Sequence, residues 1–273
     1  MNYRHVFHAG NFADLLKHAV LAEILRRLTL AGPPLTIIDT HAGAGLYDLE
    51  SAEARRTGEG EAARRLAGAF HAPAIFQPLS AAVGRVNPTG KSRYYPGSPL
   101  LIAEALRPRD RYVACELRAD DYAALKSSLV RQLGAEVLKA DGWRTALDRT
   151  PTTPARLLVL IDPPYERSDD YAKATQSIAA ILERNRLAVI AIWLPIKDLD
   201  SFDAFASRID DACAGAPAIT IEVRLRPLID PMRLNGCAMV VINPPAGLSR
   251  PAATAAAWIA QTLGEAGSAG WVS

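Results

Sequence analysis

Short apolar runs alternate with longer amphipathic stretches along most of the 273-residue chain. Continuous apolar runs of strand length are typical of strands buried in a parallel sheet, and the stretches between them are typical of crossover helices. The predicted strands are Leu35–Asp39, Arg111–Glu116, Glu136–Ala140, Leu157–Ile161 and Ala188–Leu194. The predicted helices are Phe12–Leu30, Ser98–Leu106, Asp120–Leu133, Ser168–Arg184, Leu199–Ala212 and Pro251–Leu263.

A final pair of strands is predicted at Ala218–Leu225 and Cys237–Ile242. The turn between them contains Asp230-Pro231 and Asn235-Gly236, which favours antiparallel pairing. Five strands and a terminal pair are typical of the doubly wound sheet of methyltransferases, so the pattern predicts an α/β fold with a seven-stranded, mostly parallel sheet. The last ten residues, Gly264–Ser273, are expected to be a loosely held tail.

The stretch from residue 51 to residue 87 interrupts the alternation between the first two strands. It is rich in Ala, Arg and Glu, and it contains no strand-like run. We therefore predict a small inserted helical subdomain at 51–87, within a main domain formed by 1–50 and 88–273. Between Arg55 and Arg93 there are seven basic residues against two acidic ones, an excess that suits one face of a nucleic-acid footprint.

Composition sets the broad class of protein. The net charge is +2, and hydrophobic residues make up 49% of the chain, values that exclude a disordered chain. The longest apolar run, Leu187–Leu194, ends at Pro195 and is far shorter than the ~20 residues of a membrane span. The N-terminus carries no export signal, and the three cysteines are widely spaced. We expect a cytoplasmic protein without membrane contact or bound metal.

Small residues follow the first predicted strand, where Asp39 leads into Thr40-His-Ala-Gly-Ala-Gly45. A buried strand that runs into such a turn lets a nucleotide-like ligand approach the backbone at the carboxyl edge of the sheet. Gly43 and Gly45 are therefore candidate cofactor-binding residues, although such a pair also marks ordinary tight turns. A dinucleotide fingerprint requires a third glycine where Asp48 stands, so a nicotinamide cofactor fits poorly.

Asp162-Pro163-Pro164-Tyr165 follows the apolar strand 157–161. Two prolines stiffen the backbone and leave outward carbonyls beside an acidic side chain. The Asp162 carboxylate and the Pro163 carbonyl are placed to accept both N–H groups of an exocyclic base amine, which frees the nitrogen lone pair for attack. Tyr165 is placed to stack on the extruded base, which contributes ~1–3 kcal/mol against an extrusion cost of a few kcal/mol. The alternative is a rigid turn in which Asp162 caps the next helix.

Asn243-Pro244-Pro245 also follows an apolar strand. Its next residue is Ala246, so it has no aromatic platform for a base. We interpret this segment as a strand terminator.

Two further strand ends carry acidic residues. Glu116 is placed to accept hydrogen bonds from both hydroxyls of a ribose, and Asp141, followed by Gly142, from an adenine amino group. Each has a simpler reading, such as a solvated Glu116 paired with Arg118. The ordered set of glycine loop, Glu116, Asp141 and Asp-Pro-Pro-Tyr is more specific than any member.

Four segments resemble the bacterial 23S ribosomal RNA adenine-N6 methyltransferases of the RlmJ family. They are Tyr3-Arg-His-Val-Phe-His-Ala-Gly-Asn-Phe-Ala-Asp-Leu-Leu-Lys-His18, Asp39-Thr-His-Ala-Gly-Ala-Gly45, Arg93-Tyr-Tyr-Pro-Gly-Ser-Pro99 and Ile161-Asp-Pro-Pro-Tyr165. The resemblance extends over essentially the whole chain, and the long N-terminal segment is the most specific part of it.

The resemblance implies a Rossmann-like class I methyltransferase fold with an inserted helical subdomain. It implies a monomer that methylates one adenine of protein-free or immature 23S ribosomal RNA, with S-adenosylmethionine as donor and S-adenosylhomocysteine as product. Asp162 would then accept a proton, and Tyr3 would hold the target base or close over the site. The implied cofactor contacts are His18, His41, Ser98, Glu116, Asp141, Gly142 and Asp162.

Three other functions remain open from the residues alone. Asp-Pro-Pro followed by an aromatic residue also serves guanine-N2 methylation of ribosomal RNA and adenine-N6 methylation of DNA. A non-catalytic RNA-binding assembly protein with the same fold is the third, and it predicts no binding of S-adenosylmethionine.

Overall fold

The computed structural model describes residues 5–69, 71–152, 155–167 and 169–273, so Tyr3 lies outside the described residues. The strands are β1 Leu35–Asp39, β2 Leu46–Asp48, β3 Tyr94–Pro96, β4 Arg111–Cys115, β5 Ala135–Leu138, β6 Arg156–Ile161, β7 Val189–Ile196, β8 Ala218–Arg224, β9 Gly236–Ile242 and β10 Ala269–Val272. The helices are α1 Phe12–Thr29, α2 Ala52–Thr57, α3 Glu61–Ala67, α4 Gln77–Val86, α5 Ser98–Ala105, α6 Ala119–Ser128, α7 Gly142–Arg149, α8 Asp170–Arg184, α9 Leu199–Cys213 and α10 Ser249–Leu263.

Eight strands form the main sheet, in the order β10-β8-β9-β7-β6-β1-β4-β5. Five neighbouring strands of this sheet run parallel to one another: β7, β6, β1, β4 and β5. Strand β9 lies between β7 and β8 and is antiparallel to both. The predicted doubly wound sheet and its terminal antiparallel pair are confirmed. All five parallel strands therefore direct their carboxyl ends to one edge, where α/β folds bind ligands.

The predicted strand count of seven is wrong, because the expected loose tail contains β10. This strand pairs antiparallel with β8, and Thr220 and Ser273 exchange backbone hydrogen bonds of 2.9 Å. The Arg224 guanidinium lies 4.7 Å from the centre of the Trp271 ring. This tail contains three glycines and one large apolar pair, Trp271-Val272, so it gives no strand pattern of its own, and pairing with β8 supplies the order.

Helices cover both faces of the sheet. Ile37 and Ile38 of β1 are fully buried, Ile37 in a core shared with α1 and α10, and Ile38 in a core shared with α8 and α9. Successive strand residues point to opposite faces, so a strand covered on both sides must be apolar at every position. This double burial is why the strands read as unbroken apolar runs.

Residues 51–87 contain α2, α3 and α4, as well as a 3₁₀ turn at Ala74–Phe76. Phe76 is fully buried against Trp258 of α10, with ring centres 4.9 Å apart, and belongs to the same core as α1. The antiparallel pair β2–β3 closes the insertion at its base. The division into a main domain and a subdomain remains a prediction.

Several predicted boundaries are corrected. Helix α6 ends at Ser128 rather than Leu133, and α7 was not predicted. The helix predicted from Ser168, which lies outside the described residues, begins at Asp170. Within the described ranges, no helix is both long and apolar enough to cross a membrane.

Candidate functional site

Polar side chains from several strand ends converge on a cavity of about 290 Å³ at the carboxyl edge of the sheet. Among the sequence-predicted site residues, those that line it are His18, His41, Gly43, Ser98, Glu116, Asp141 and Asp162. The lining does not include Gly45, Gly142, Pro163 or Tyr165. The structure thus brings together seven predicted residues that are spread over 145 positions of sequence.

Gly43 makes the turn after β1 possible. Its φ is +65°, and an added Cβ would lie 2.2 Å from the Tyr47 hydroxyl. That hydroxyl accepts a hydrogen bond from the Ala44 N–H at 3.0 Å. Gly45 also has a positive φ, and its carbonyl accepts the Gly97 N–H at 2.8 Å. The loop is therefore rigid, and it is tied to the start of α5.

Glu116 stands at the end of β4, opposite the glycine loop. Its carboxylate accepts the Gly43 N–H at 3.0 Å and the Arg118 N–H at 2.7 Å. Burial raises the pKa of Glu116 above its ordinary value. The Arg118 side chain pairs with Asp121 at 3.1 Å instead. Glu116 therefore lines the cavity as an acceptor held in place by two backbone donors.

Asp141 and Gly142 open α7. Asp141 Oδ1 accepts the N–H groups of Trp143 at 2.9 Å and Arg144 at 3.4 Å, so the side chain caps the helix while remaining exposed to the cavity. An added Cβ at Gly142 would lie 1.9 Å from the Thr40 carbonyl oxygen. Gly142 thus allows α7 to pack closely against the end of β1. It has no side chain, so it can shape the cavity only through its backbone.

The cavity has an apolar end suited to a flat ring. Its walls there include Trp143 and Leu117, a leucine that is 61% exposed. His41 contacts the Trp143 ring edge-on, with centres 4.8 Å apart, and its Nδ1 hydrogen bonds to the Thr40 hydroxyl at 2.7 Å. Burial lowers the pKa of His41 to about 4, so the ring is neutral at physiological pH.

Asp39 is a functional candidate that sequence reasoning missed. It is fully buried, and its Oδ2 accepts hydrogen bonds from the hydroxyls of Ser98 at 2.8 Å and Tyr112 at 3.3 Å. Burial raises the pKa of Asp39 to about 7. Because 59 residues separate Asp39 from Ser98, no local pattern reveals the pair. The pair fixes the Ser98 hydroxyl, which was predicted only as a cofactor contact.

His18 lines the same cavity from α1. Its Nδ1 lies 2.8 Å from the Tyr95 hydroxyl, and the two rings stack with centres 5.5 Å apart. Burial lowers the pKa of His18 to about 3. His18 is therefore a neutral hydrogen-bonding group that links α1 to β3.

Lys17 is the second residue that sequence reasoning missed, although it lies in the N-terminal motif. Its ammonium donates to Asp162 Oδ2 at 2.6 Å and pairs with Asp14 Oδ1 at 2.8 Å. Burial opposes the charges, but these contacts hold the pKa of Lys17 well above its ordinary value. With His5, Lys17 holds the pKa of buried Asp14 well below its ordinary value. Asp162 is consequently held from α1, 145 residues away.

Asp162 lies where the cavity meets a second, larger cleft. His5, Lys17, Asp162, Pro164 and Arg167 line both spaces. The larger cleft has a volume of about 1080 Å³. It is lined in addition by Tyr165 and by the basic side chains of Arg65, Lys197, Arg226 and Arg233. Asp162 therefore lies at the junction of the two spaces.

Tyr165 is fixed by its surroundings. Its φ is +51°, its hydroxyl donates to the Trp193 carbonyl at 2.9 Å, and its ring packs against Tyr171 with centres 4.6 Å apart. Asp162 does not cap the next helix, because Asp169 occupies the N-cap position of α8. The stacking role of Tyr165 remains a prediction, and Pro163 is buried beside it.

Asn243-Pro244-Pro245 lies at the other end of the strands, beside the amino end of β7 and away from the cavity. Strand β9 is antiparallel to β7, so Ile242 pairs with Ile190 near the start of β7. The Asn243 amide donates to the carbonyls of Arg186 and Ala188, each at 2.9 Å. Its interpretation as a strand terminator is confirmed.

Comparisons with known proteins agree with this geometry. The family model described as "Ribosomal RNA large subunit methyltransferase D, RlmJ" matches residues 32–273. Two curated proteins named "Ribosomal RNA large subunit methyltransferase J" are similar to the chain. The one from Escherichia coli K12 is 36% identical over 268 residues, covering 98% of this chain and 95% of that protein. The one from Haemophilus influenzae is 35% identical over 273 residues, covering 99% and 97%.

A crystal structure of a Legionella pneumophila protein has the same overall fold. It superposes with a TM-score of 0.88 at 28% identity, and the match covers 97% of this chain and 98% of that one. The similarity therefore includes the insertion as well as the main sheet.

Proposed function

Because the chain belongs to the RlmJ family of large subunit ribosomal RNA methyltransferases, we propose that it transfers a methyl group from S-adenosylmethionine to the N6 amine of one adenine in 23S ribosomal RNA. The family supports the enzyme class and the RNA. The Asp-Pro-Pro-Tyr segment supports an amine as the methyl acceptor.

The observation that carries the proposal is the position of Asp162. Its carboxylate lines both the smaller cavity and the larger cleft. A donor in the first space and a base in the second would meet at this side chain. Alignment of two reactants in this way is the main requirement of a transfer whose methyl group is already activated.

The residues of the smaller cavity fit S-adenosylmethionine. Gly43 lines this cavity and carries no side chain, so a ligand can approach the backbone of the loop there. Glu116 would accept hydrogen bonds from the ribose hydroxyls, and the exposed Asp141 carboxylate from the adenine amino group. Leu117 and Trp143 would enclose the adenine ring. When bound, the cofactor supplies a methyl carbon activated by its sulfonium.

The chain prepares the amine as follows. Lys17 occupies Oδ2 of Asp162, which leaves Oδ1 to accept one N–H of the adenine amine. The sequence predicts the Pro163 carbonyl as the acceptor of the other N–H, although Pro163 is buried and lines neither space. The nitrogen lone pair, no longer shared with the ring, would form the new N–C bond as the methyl–sulfonium bond breaks and a neutral thioether leaves, and the nitrogen would then give up a proton to Asp162. Strong base catalysis is unnecessary, because the role of the carboxylate is mainly orientation.

The larger cleft suits a nucleic acid. Arg65, Lys197 and Arg233 are three of the six Lys and Arg side chains that line the space around Tyr165, against five carboxylates, and Arg65 belongs to the insertion. Phosphate contacts by such residues position a strand without reading its sequence. An adenine extruded into the cleft would reach Asp162.

The decisive experiment is methylation with tritiated S-adenosylmethionine of 23S ribosomal RNA from a strain that lacks its own family member, followed by nucleoside analysis. N6-methyladenosine is expected. N2-methylguanosine would favour the guanine alternative, and labelling of DNA alone would favour the DNA alternative. Absence of cofactor binding by calorimetry would favour an assembly protein.

The role of Asp162 is tested by Asp162→Ala and Asp162→Asn. Both variants should bind the cofactor and lose methylation by at least about 100-fold, since Ala removes the acceptor and Asn keeps one acceptor oxygen, which Lys17 would occupy. Asp200→Ala, which removes an exposed carboxylate outside both spaces, is the control. Near-normal turnover of Asp162→Ala would refute the assigned role.

The proposed function also includes a monomeric enzyme that works in the cytoplasm, where ribosomes are assembled.

A further inference from the structure

The connection between β8 and β9 (residues 225–235, here the β8–β9 loop) exposes two large apolar side chains. Ile229 is 86% exposed and Met232 is 89% exposed. Exposed apolar side chains of this size on one short loop remain in unfavourable contact with water and gain no packing in return. A contact that covers them in a complex is the simplest physical reason for this arrangement.

The loop is firmly anchored beneath these side chains. The fully buried Asn235 donates from its amide to the carbonyls of Lys197 and Asp230, each at 2.7 Å. The Met232 N–H donates to Asp230 Oδ1 at 3.0 Å. Pro227 and Pro231 fix two backbone angles. The loop thus presents Met232 on a preformed support.

The loop lies at the proposed RNA site. Met232 and Arg233 line the larger cleft together with Asp162 and Tyr165. Arg233 is exposed next to Met232, so the same segment offers a cation for a phosphate and an apolar group for base surfaces. The positive charge of Arg233 and the position of this segment in the cleft that contains Asp162 favour the RNA strand that carries the extruded nucleotide as the occupant.

We infer that Met232 inserts into the RNA base stack at the place vacated by the target adenine, while Arg233 holds the adjoining phosphate. The inference rests on the proposed function and adds the device that opens the RNA. Extrusion breaks stacking at a cost of a few kcal/mol, and apolar wedges such as Met or Ile are a known means of compensating that cost. Met232 then lowers the barrier to extrusion, whereas Asp162 acts only after the base has left the stack.

The test uses two unmethylated RNA fragments that contain the target adenine. One has the natural sequence, and the other has abasic nucleotides on both sides of the target, so the adenine has nothing to stack on. Met232→Ala should lower kcat/KM on the natural fragment by about tenfold, equivalent to ~1.4 kcal/mol, with a clearly smaller loss on the abasic fragment. Met232→Leu, of similar volume, should restore most of the rate.

Fluorescence reports the extrusion step directly. With 2-aminopurine in place of the target adenine, the wild type should raise the fluorescence, and Met232→Ala should raise it much less at saturating protein. The control is Leu133→Ala, which removes a 93% exposed leucine outside the cleft and should change neither readout.

Two results would contradict the insertion of Met232 into the base stack. One is a Met232→Ala variant with wild-type fluorescence and rates, and the other is an equal loss on both fragments, which would make Met232 a general binding residue. Failure of the proposed function looks different, because the wild type itself would then methylate neither fragment.

Discussion

Replacement of Lys17 by Met tests whether the buried ion pairs hold the site together. Met keeps the length of the side chain and removes the ammonium that joins Asp14 and Asp162 at 2.8 and 2.6 Å. At such distances and an effective dielectric constant of ~20, one pair of unit charges gains ~6 kcal/mol, against a desolvation cost of several kcal/mol per ion. Deletion of one partner leaves buried carboxylates uncompensated, so we expect a loss of ~3–5 kcal/mol in the free energy of unfolding.

The assay is denaturant unfolding at several pH values, with Lys126→Met, at an exposed lysine, as the control. In the wild type, the lowered pKa of Asp14 gives a stability contribution that is lost as the pH falls towards that pKa. In Lys17→Met, burial favours the protonated carboxyl, so stability is instead lost as the pH rises. The deficit should therefore shrink between pH 8 and pH 5. A loss below ~1 kcal/mol that does not change with pH would show that solvent screens the pair, as in surface ion pairs, and would refute the reasoning.

Three other substitutions test separate parts of the site. Gly142→Ala should cost about 1–3 kcal/mol by denaturant unfolding, because its Cβ would meet the Thr40 carbonyl, whereas Gly84→Ala, in open space within α4, should be neutral or stabilising. His18→Asn removes a histidine whose pKa falls from 6.5 to about 3. The unfolded chain takes up a proton below about pH 6.5, so the stability difference between wild type and variant should fall by ~2 kcal/mol between pH 7 and pH 5; a constant difference would contradict this. Glu116→Gln should weaken cofactor binding at least about tenfold by calorimetry and cost ~1–3 kcal/mol in stability, because its NH2 group would face one of the two backbone donors; an unchanged Kd would exclude a ribose contact.

The sheet could be predicted because double burial marks its strands directly. The run Leu157–Ile161 is apolar at every position, and its boundary predicted the place of Asp162 correctly. Strand β10 and helix α7 could not be predicted in the same way. Each is short, and each depends on a neighbour, β8 for the strand and the Asp141 cap for the helix.

The site was predicted where a strand end fixes a residue, and missed where distant elements meet. Glu116 and Asp141 follow strands, so their convergence follows from a parallel sheet. Lys17 belongs to α1, a helix that is buried on all sides for most of its length. The sequence around Lys17 therefore shows no apolar and polar faces that would mark the lysine as a site residue. Its partner Asp162 is 145 residues away, and only the packing of α1 against the sheet reveals the contact.

The paired strands β2 and β3 hold the two ends of the inserted segment together. Residues 49–93 leave and return through this two-stranded clasp, which the Arg93–Asp48 ion pair at 2.7 Å reinforces. Doubling a connection closed at its base costs only ~0.6 kcal/mol in chain entropy. Length changes in the exposed turns of this segment should therefore cost little stability, whereas substitutions of Phe76, which packs against α10, should cost much more.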